Sequence, residues 1–213
     1  MKKVLLIGDS IRQGYDRFVK EAFSGEAEVY YPRENCRFTG YIMRNLTLWK
    51  GELGCGDDVD LVHWNAGLWD NLILLDGKHH TPLLQYRENI ERISVFIGML
   101  FPRAKVIFAT STPILEAETS DWVLRRLNAD TEAYNAAACE AVRKYGATVN
   151  DLYALASQLP DSYHSDATHF YTEDGTRALA EQVICVIGEA LGIVPRKLDY
   201  HALFSEGQKA LGH

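Results

Sequence analysis

Three residues in this chain have types and positions that could do joint chemistry: Ser10, Asp166 and His169. Ser10 lies in "GDSIRQGY" (8–15), directly after the apolar run "KVLLI" (3–7). A strand that breaks at Gly8 and carries Asp9 and Ser10 at its tip presents a hydroxyl at the start of the next helix. Free backbone N–H groups and positive partial charge at that end favour a developing oxyanion. Taken alone, a serine there is more ordinarily an N-cap. At the far end, "SDATHFYTEDGTRALA" (165–180) sets Asp166 and His169 three residues apart in a short loop before a helix. A hydroxyl becomes a nucleophile when an imidazole removes its proton and a carboxylate holds that imidazole in one tautomer. A D-x-x-H turn can aim both groups at one point. By itself it reads equally as a loop carboxylate capping a turn beside a surface histidine.

For these residues to meet, the elements between them must bring the chain ends together. Five segments read as short buried strands: 3–8, 27–32, 59–67, 104–112 and 147–153. Each is rich in Val, Ile, Tyr or Phe and nearly continuous rather than alternating, as in parallel strands covered on both faces. Helical stretches are expected at 16–25, 40–53, 83–101, 129–146 and 172–192, the last with Leu179, Val183, Val186, Ile187 and Leu191 on one face. Strand and helix alternate, so the class is α/β, a three-layer doubly wound parallel sheet of order 2-1-3-4-5. In that order the loops after strands 1 and 3 flank the switch point where ligands bind. The catalytic unit is expected over 1–194. The tail, 195–213, has no clear period, and a docked extension, an oligomer contact or partial disorder all remain open for it.

With these blocks quoted, the sequence resembles the SGNH (GDSL-type) hydrolases, in their carbohydrate-esterase-like branch. "GDSIRQGY" is similar to the nucleophile block and "DATHFYTEDGTRALA" to the Asp–His block. "FATSTPI" (108–114) resembles the fourth-strand block. "RRLNADTEAYNAAACEAVRKYGATVNDLYAL" resembles the helix and fifth strand that follow. The resemblance implies a flavodoxin-like sheet, ester hydrolysis and no metal or other cofactor. It implies Ser10 as nucleophile, His169 as general base and then acid, and Asp166 as its orienting partner.

The middle blocks depart from that pattern. The family takes one oxyanion donor from a glycine N–H after strand 2 and another from an asparagine side chain in "G-x-N-D" after strand 3. Here "RENCRFTGYIMRNL" (33–46) puts Arg37 at the glycine position, with Gly40 as another candidate. "NAGLWD" (65–70) puts Trp69 where the asparagine is expected. Relatives in the branch carry a similar "N-x-G-L-H-D" string, so Asn65 is the first candidate for the side-chain donor and Asn35 the second. Asp9 joins the substrate-binding set. Asp70 is read as support for the loop after strand 3. Trp64, Trp69 and Trp122 are either a stacking wall for a sugar ring or core residues. His79 and His80 in "DGKHHTP" read as a solvated loop rather than a metal site.

Composition narrows the classes. A length of 213 residues suits one domain with a sizeable core, and 47% hydrophobic against 24% charged residues is an ordinary globular balance. A formal net charge of −7 with no basic stripe argues against nucleic acid; "VLRR" (123–126) reads as a solvated helix end. No window is apolar enough to span a membrane. The N-terminal apolar run is too short for a secretory leader, so a cytoplasmic location is expected. Cys36, Cys55, Cys139 and Cys185 form no metal or disulfide pattern, and Cys36 falls near the site. The reading is a serine esterase for small acyl esters, with acetyl groups on carbohydrate as the substrate class. The alternatives are a lipase- or thioesterase-like acyl hydrolase or acyltransferase, and a non-catalytic carbohydrate-binding module. The oligomeric state is not readable from these residues.

Overall fold

The computed structural model describes residues 1–119 and 123–210. Five parallel strands form one sheet in the order β2-β1-β3-β4-β5. They are β1 (Lys2–Ile7), β2 (Ala27–Tyr30), β3 (Leu61–Trp64), β4 (Lys105–Ala109) and β5 (Thr148–Asn150). Val4 and Leu61, and Leu61 and Lys105, are register partners across the centre of the sheet. The order and the parallel sense match the expectation from the apolar runs. Strand ends are shorter than expected. In the fifth segment the strand stops at Asn150 because Asp151 turns the chain, its carboxylate accepting the Ala154 N–H at 3.0 Å and starting a short helix.

Helices cover both faces. α1 (Ser10–Ala22) and the long helix Glu173–Leu191 lie on one face. Their Tyr15, Phe18, Val19, Leu179, Val183 and Ile187 form a core with Val4, Leu6 and Leu61. α2 (Thr39–Leu53), α3 (Leu83–Leu100) and the helix Asn128–Arg143 lie on the other, packing Ile42, Leu46, Ile90, Ile93, Ile97 and Tyr134 against Leu5, Ile7, Val62 and Phe108. Two faces of buried apolar side chains explain why the strands read as continuous rather than alternating runs.

The first helix begins six residues earlier than its apolar periodicity suggests. The cause is Asp9, which accepts the Ile11 N–H at 3.0 Å and so caps the helix. The tail also differs from an unstructured segment. A helix spans Tyr200–Ala210, Tyr200 stacks on Phe18 at 5.6 Å, and the Arg196 N–H donates to the Ala22 carbonyl at 2.8 Å. No helix among the described residues is long and apolar enough to cross a membrane.

Candidate active site

The C-terminal ends of the strands hold the site. Ser10 is the first residue of α1, and the capping role that a lone serine there would suggest belongs instead to Asp9. The Ser10 hydroxyl is therefore turned outward, with Oγ 2.7 Å from His169 Nε2. His169 Nδ1 lies 2.8 Å from Asp166 Oδ2 and 3.0 Å from Oδ1. Residues 159 positions apart in sequence thus meet in one hydrogen-bonded relay. The D-x-x-H turn is built by its own carboxylate: Asp166 Oδ1 accepts the N–H of Thr168 at 2.8 Å and of His169 at 2.9 Å. Burial pushes the Asp166 carboxyl up. The hydrogen bonds from Thr168 and His169 outweigh this and hold it below the usual carboxylate range. The carboxylate is therefore charged and fixes the tautomer in which Nε2 can accept a proton. The Ser165 N–H to His169 carbonyl bond at 2.7 Å and the Leu115 N–H to Ala167 carbonyl bond at 2.9 Å hold the loop.

Tyr171, which no spacing rule singled out, braces this relay. Its hydroxyl donates to the Ser10 carbonyl at 2.6 Å, and its ring stacks on the His169 ring at 4.8 Å with 21° between planes. A Cβ at position 14 would lie 3.0 Å from the Tyr171 ring, so Gly14 makes the room. Its one mark in the sequence is its place two residues after His169.

Behind Ser10 lies a buried polar cluster. Asn65 Nδ2 donates to Asp9 Oδ1 at 3.0 Å. Both residues are shut off from solvent, Asp9 at 0% and Asn65 at 2% exposure. Burial raises the Asp9 pKa, against the hydrogen bonds from Asn65 and Ile11. Gly8 is required here: a Cβ on it would fall 1.9 Å from Asn65 Oδ1. Asn65, the first candidate for the side-chain oxyanion donor, instead secures the N-cap of α1. Asp9 likewise acts as a cap rather than as a group facing substrate.

The second block also has local bonds. Arg37 has φ of 53°, and it is the one described non-glycine residue with a positive value. A positive φ is the conformation that glycine adopts most readily, which agrees with the resemblance that aligns Arg37 with a glycine. Its N–H donates to Asn35 Oδ1 at 2.8 Å. Gly40 is the second residue of α2, where a Cβ would lie 3.1 Å from the Phe38 ring. Asp70 is buried and accepts both the N–H and the hydroxyl of Thr39, tying the loop after β3 to the start of α2. Burial raises its pKa to about 6.

A cleft of about 340 Å³ opens over the relay, lined by Ser10, Leu68, Trp69, Arg126, Asp166, Thr168 and His169. Asn35, Arg37 and Gly40 are not among its walls. Trp69 is, but Trp64 is fully buried with its ring 4.9 Å from Phe108, so it belongs to the core and not to a sugar-stacking wall. Trp122 lies outside the described residues. The reading of 123–126 as a solvated end holds for Val123, Leu124 and Arg125 but not for Arg126. That side chain is half-buried in the cleft, with Nε donating to the Leu68 carbonyl. Cys36 is fully buried, and burial raises its thiol to about 11, well away from thiolate chemistry at neutral pH. His79 Nε2 lies 2.9 Å from Asp130 Oδ2 and His80 packs on Phe38. Among the described residues no cluster of three or more His, Cys, Asp or Glu could hold a metal.

No protein-family model matches the sequence, and no curated protein matches it. Solved structures do. A lipase/acylhydrolase from Enterococcus faecalis is 21% identical with a TM-score of 0.71, covering 93% of this chain and 100% of its own. A GDSL-like lipase from Bacteroides thetaiotaomicron is 17% identical with a TM-score of 0.66, covering 89% of each chain. An acetylxylan esterase from Geobacillus stearothermophilus is 15% identical with a TM-score of 0.64, covering 88% of this chain and 94% of its own. Sheet order, helix layers and these likenesses agree: the chain has the SGNH (GDSL-type) hydrolase fold.

Proposed function

We propose that this chain is a serine ester hydrolase acting on small acyl esters, with O-acetyl groups on carbohydrate as the substrate class. The observation that carries this reading is the 2.7 Å contact between Ser10 Oγ and a His169 ring whose other nitrogen is held by Asp166. His169 Nε2 takes the Ser10 proton as Oγ attacks the acyl carbonyl, and the carbonyl π electrons move onto oxygen. The oxyanion forms beside the N-terminal N–H groups of α1. Collapse of the tetrahedral state expels the alcohol, which takes the proton back from His169. Water then attacks the acyl-enzyme with His169 as base, releasing the acid and restoring Ser10. Asp166 stays ionised throughout and stabilises the imidazolium.

The preference for a small acyl group rests on the cleft, whose 340 Å³ lies near the bottom of the range for ligand pockets. The carbohydrate side of the proposal rests on Trp69 at the cleft wall, an amphipathic ring suited to a sugar face, and on two acetyl xylan esterases among the structural likenesses. The test is p-nitrophenyl ester turnover across acyl lengths, by the wild type and by Ser10→Ala. The reading expects a preference for acetyl and loss of turnover in the variant. Equal rates in both proteins would remove Ser10 from the mechanism, and a rise in rate beyond four carbons would favour the lipase-like alternative.

A further inference from the structure

We infer that Arg126 is a catalytic residue, its guanidinium supplying the side-chain oxyanion donor that the third sequence block lacks. The inference rests on the ester-hydrolase reading above and deepens it. Its first support is position. Arg126 Nε donates to the carbonyl of Leu68, the residue just before Trp69, which stands where an asparagine amide would be. The backbone beside Arg126 is fastened to the same loop: the Ile73 N–H donates to the Arg125 carbonyl at 2.8 Å. The side chain thus reaches over the post-β3 loop into the cleft that Ser10 and His169 share.

Elimination gives the second support. Asn65 is 2% exposed and bonded to Asp9, so its amide does not reach the cleft. The Arg37 N–H already donates to Asn35 Oδ1, in a turn that is not a cleft wall. Trp69 can offer only one indole N–H. Arg126 has five N–H donors in a planar fork, and one of them serves as its anchor.

Charge is the third. Arg126 is half-buried, and among the described residues no carboxylate forms an ion pair with it. Burial lowers its pKa, while the enclosed Asp9 carboxylate behind Ser10 pulls it back up. A partly desolvated cation aimed into a cleft favours an anion at its fork. Two anions could take that place: the transient alkoxide of the tetrahedral state, or a fixed carboxylate on the substrate. Kinetics separates them. A donor to the alkoxide acts only in the transition state and appears in kcat, whereas an anchor for a substrate carboxylate also acts in the ground state and appears in KM.

The experiment uses the full chain with Arg126→Ala, Arg126→Gln, Arg126→Lys and Asn35→Ala. Neutral p-nitrophenyl acetate is assayed optically, and methyl butyrate against monomethyl succinate in a pH-stat. Rates of Ser10 labelling by a fluorophosphonate are measured in parallel. Losing one oxyanion donor lowers kcat by about 10²–10³-fold, so Arg126→Ala is expected to show that loss on every ester. Its KM should stay within about threefold, Lys and Gln should recover part of the rate, and labelling should slow in step. Asn35→Ala is expected to change little. Thermal melts exclude a folding defect, and the Lys and Gln variants carry the test if Ala does not fold. Wild-type kcat in Arg126→Ala would overturn the inference. So would a loss confined to the KM of monomethyl succinate, or a loss in Asn35→Ala instead. Should the wild type turn over no ester, the labelling rates still report on Arg126, while the hydrolase reading fails on its own.

Discussion

Replacing Asp166 by asparagine removes one charge and leaves the loop almost intact, which makes it a sharp probe of the relay. Asp166 Oδ1 accepts the Thr168 and His169 N–H groups, and an asparagine Oδ1 can go on accepting both. Its Nδ2 then takes the place of Oδ2, 2.8 Å from His169 Nδ1. An NH₂ group there donates to Nδ1 and forces the proton onto Nε2, where the ring can no longer accept one from Ser10. The equivalent tautomer error in a serine protease triad costs about 10⁴ in kcat, or about 5.5 kcal/mol of transition-state stabilisation. Stability should change by less than about 1 kcal/mol, because the Asp166 side chain is 50% exposed and exposed ion pairs contribute little. The assay pairs p-nitrophenyl acetate kinetics with urea melts. A variant that keeps kcat/KM within tenfold of wild type would refute the assignment of Asp166. A variant that loses activity only because it unfolds would leave the midpoint visibly shifted, and would refute the claim that the loop is held by backbone acceptance at Oδ1.

Three other perturbations have defined outcomes. Gly8→Ala puts a Cβ 1.9 Å from Asn65 Oδ1 and 2.8 Å from the Arg12 Cβ, and is expected to cost about 3 kcal/mol in denaturant melts; an unchanged midpoint contradicts the packing described. Tyr171→Phe keeps the stack on His169 but loses the bond to the Ser10 carbonyl, so about 1 kcal/mol of stability and less than tenfold in kcat should go, with Tyr171→Ala lower in both. His63, fully buried on β3, has its pKa lowered by burial from 6.5 to about 3. The unfolded chain therefore binds this proton first, and stability present above pH 6.5 is lost as pH falls, by about 2 kcal/mol at pH 5. Asp70, raised to about 6, contributes the opposite slope below that pH, so the readout is the difference between wild type and His63→Gln in melts at pH 7 and pH 5; parallel curves would contradict it.

The parts of this molecule that were legible in the sequence share a property: their information is local. Continuous apolar runs disclose parallel strands because both faces are buried, and the Asp166–His169 pair is legible because one turn holds it. The position of Ser10 at a strand tip follows from Gly8 and the run before it. What escaped notice depends on contacts between distant segments. Asn65 could be seen as polar and near the site, yet its direction is set by Asp9, 56 positions away. Arg126 looks like one more surface cation until the Leu68 carbonyl and the cleft are known. Tyr171 sits beside a residue already singled out, but its partner is the Ser10 carbonyl, which no side-chain pattern encodes. Trp64 and Trp69 are alike in sequence and differ in burial because one is on β3 and the other in the loop beyond it.

The relay itself is tested most directly by a double-mutant cycle on p-nitrophenyl acetate turnover with Ser10→Ala, His169→Ala and the combined variant. Groups that act as one unit lose nearly everything with the first substitution. The account predicts that each single variant falls to the same residual rate and that the double variant falls no further. Losses that multiply in the double variant would mean that the hydroxyl and the imidazole work independently, and would contradict the central claim.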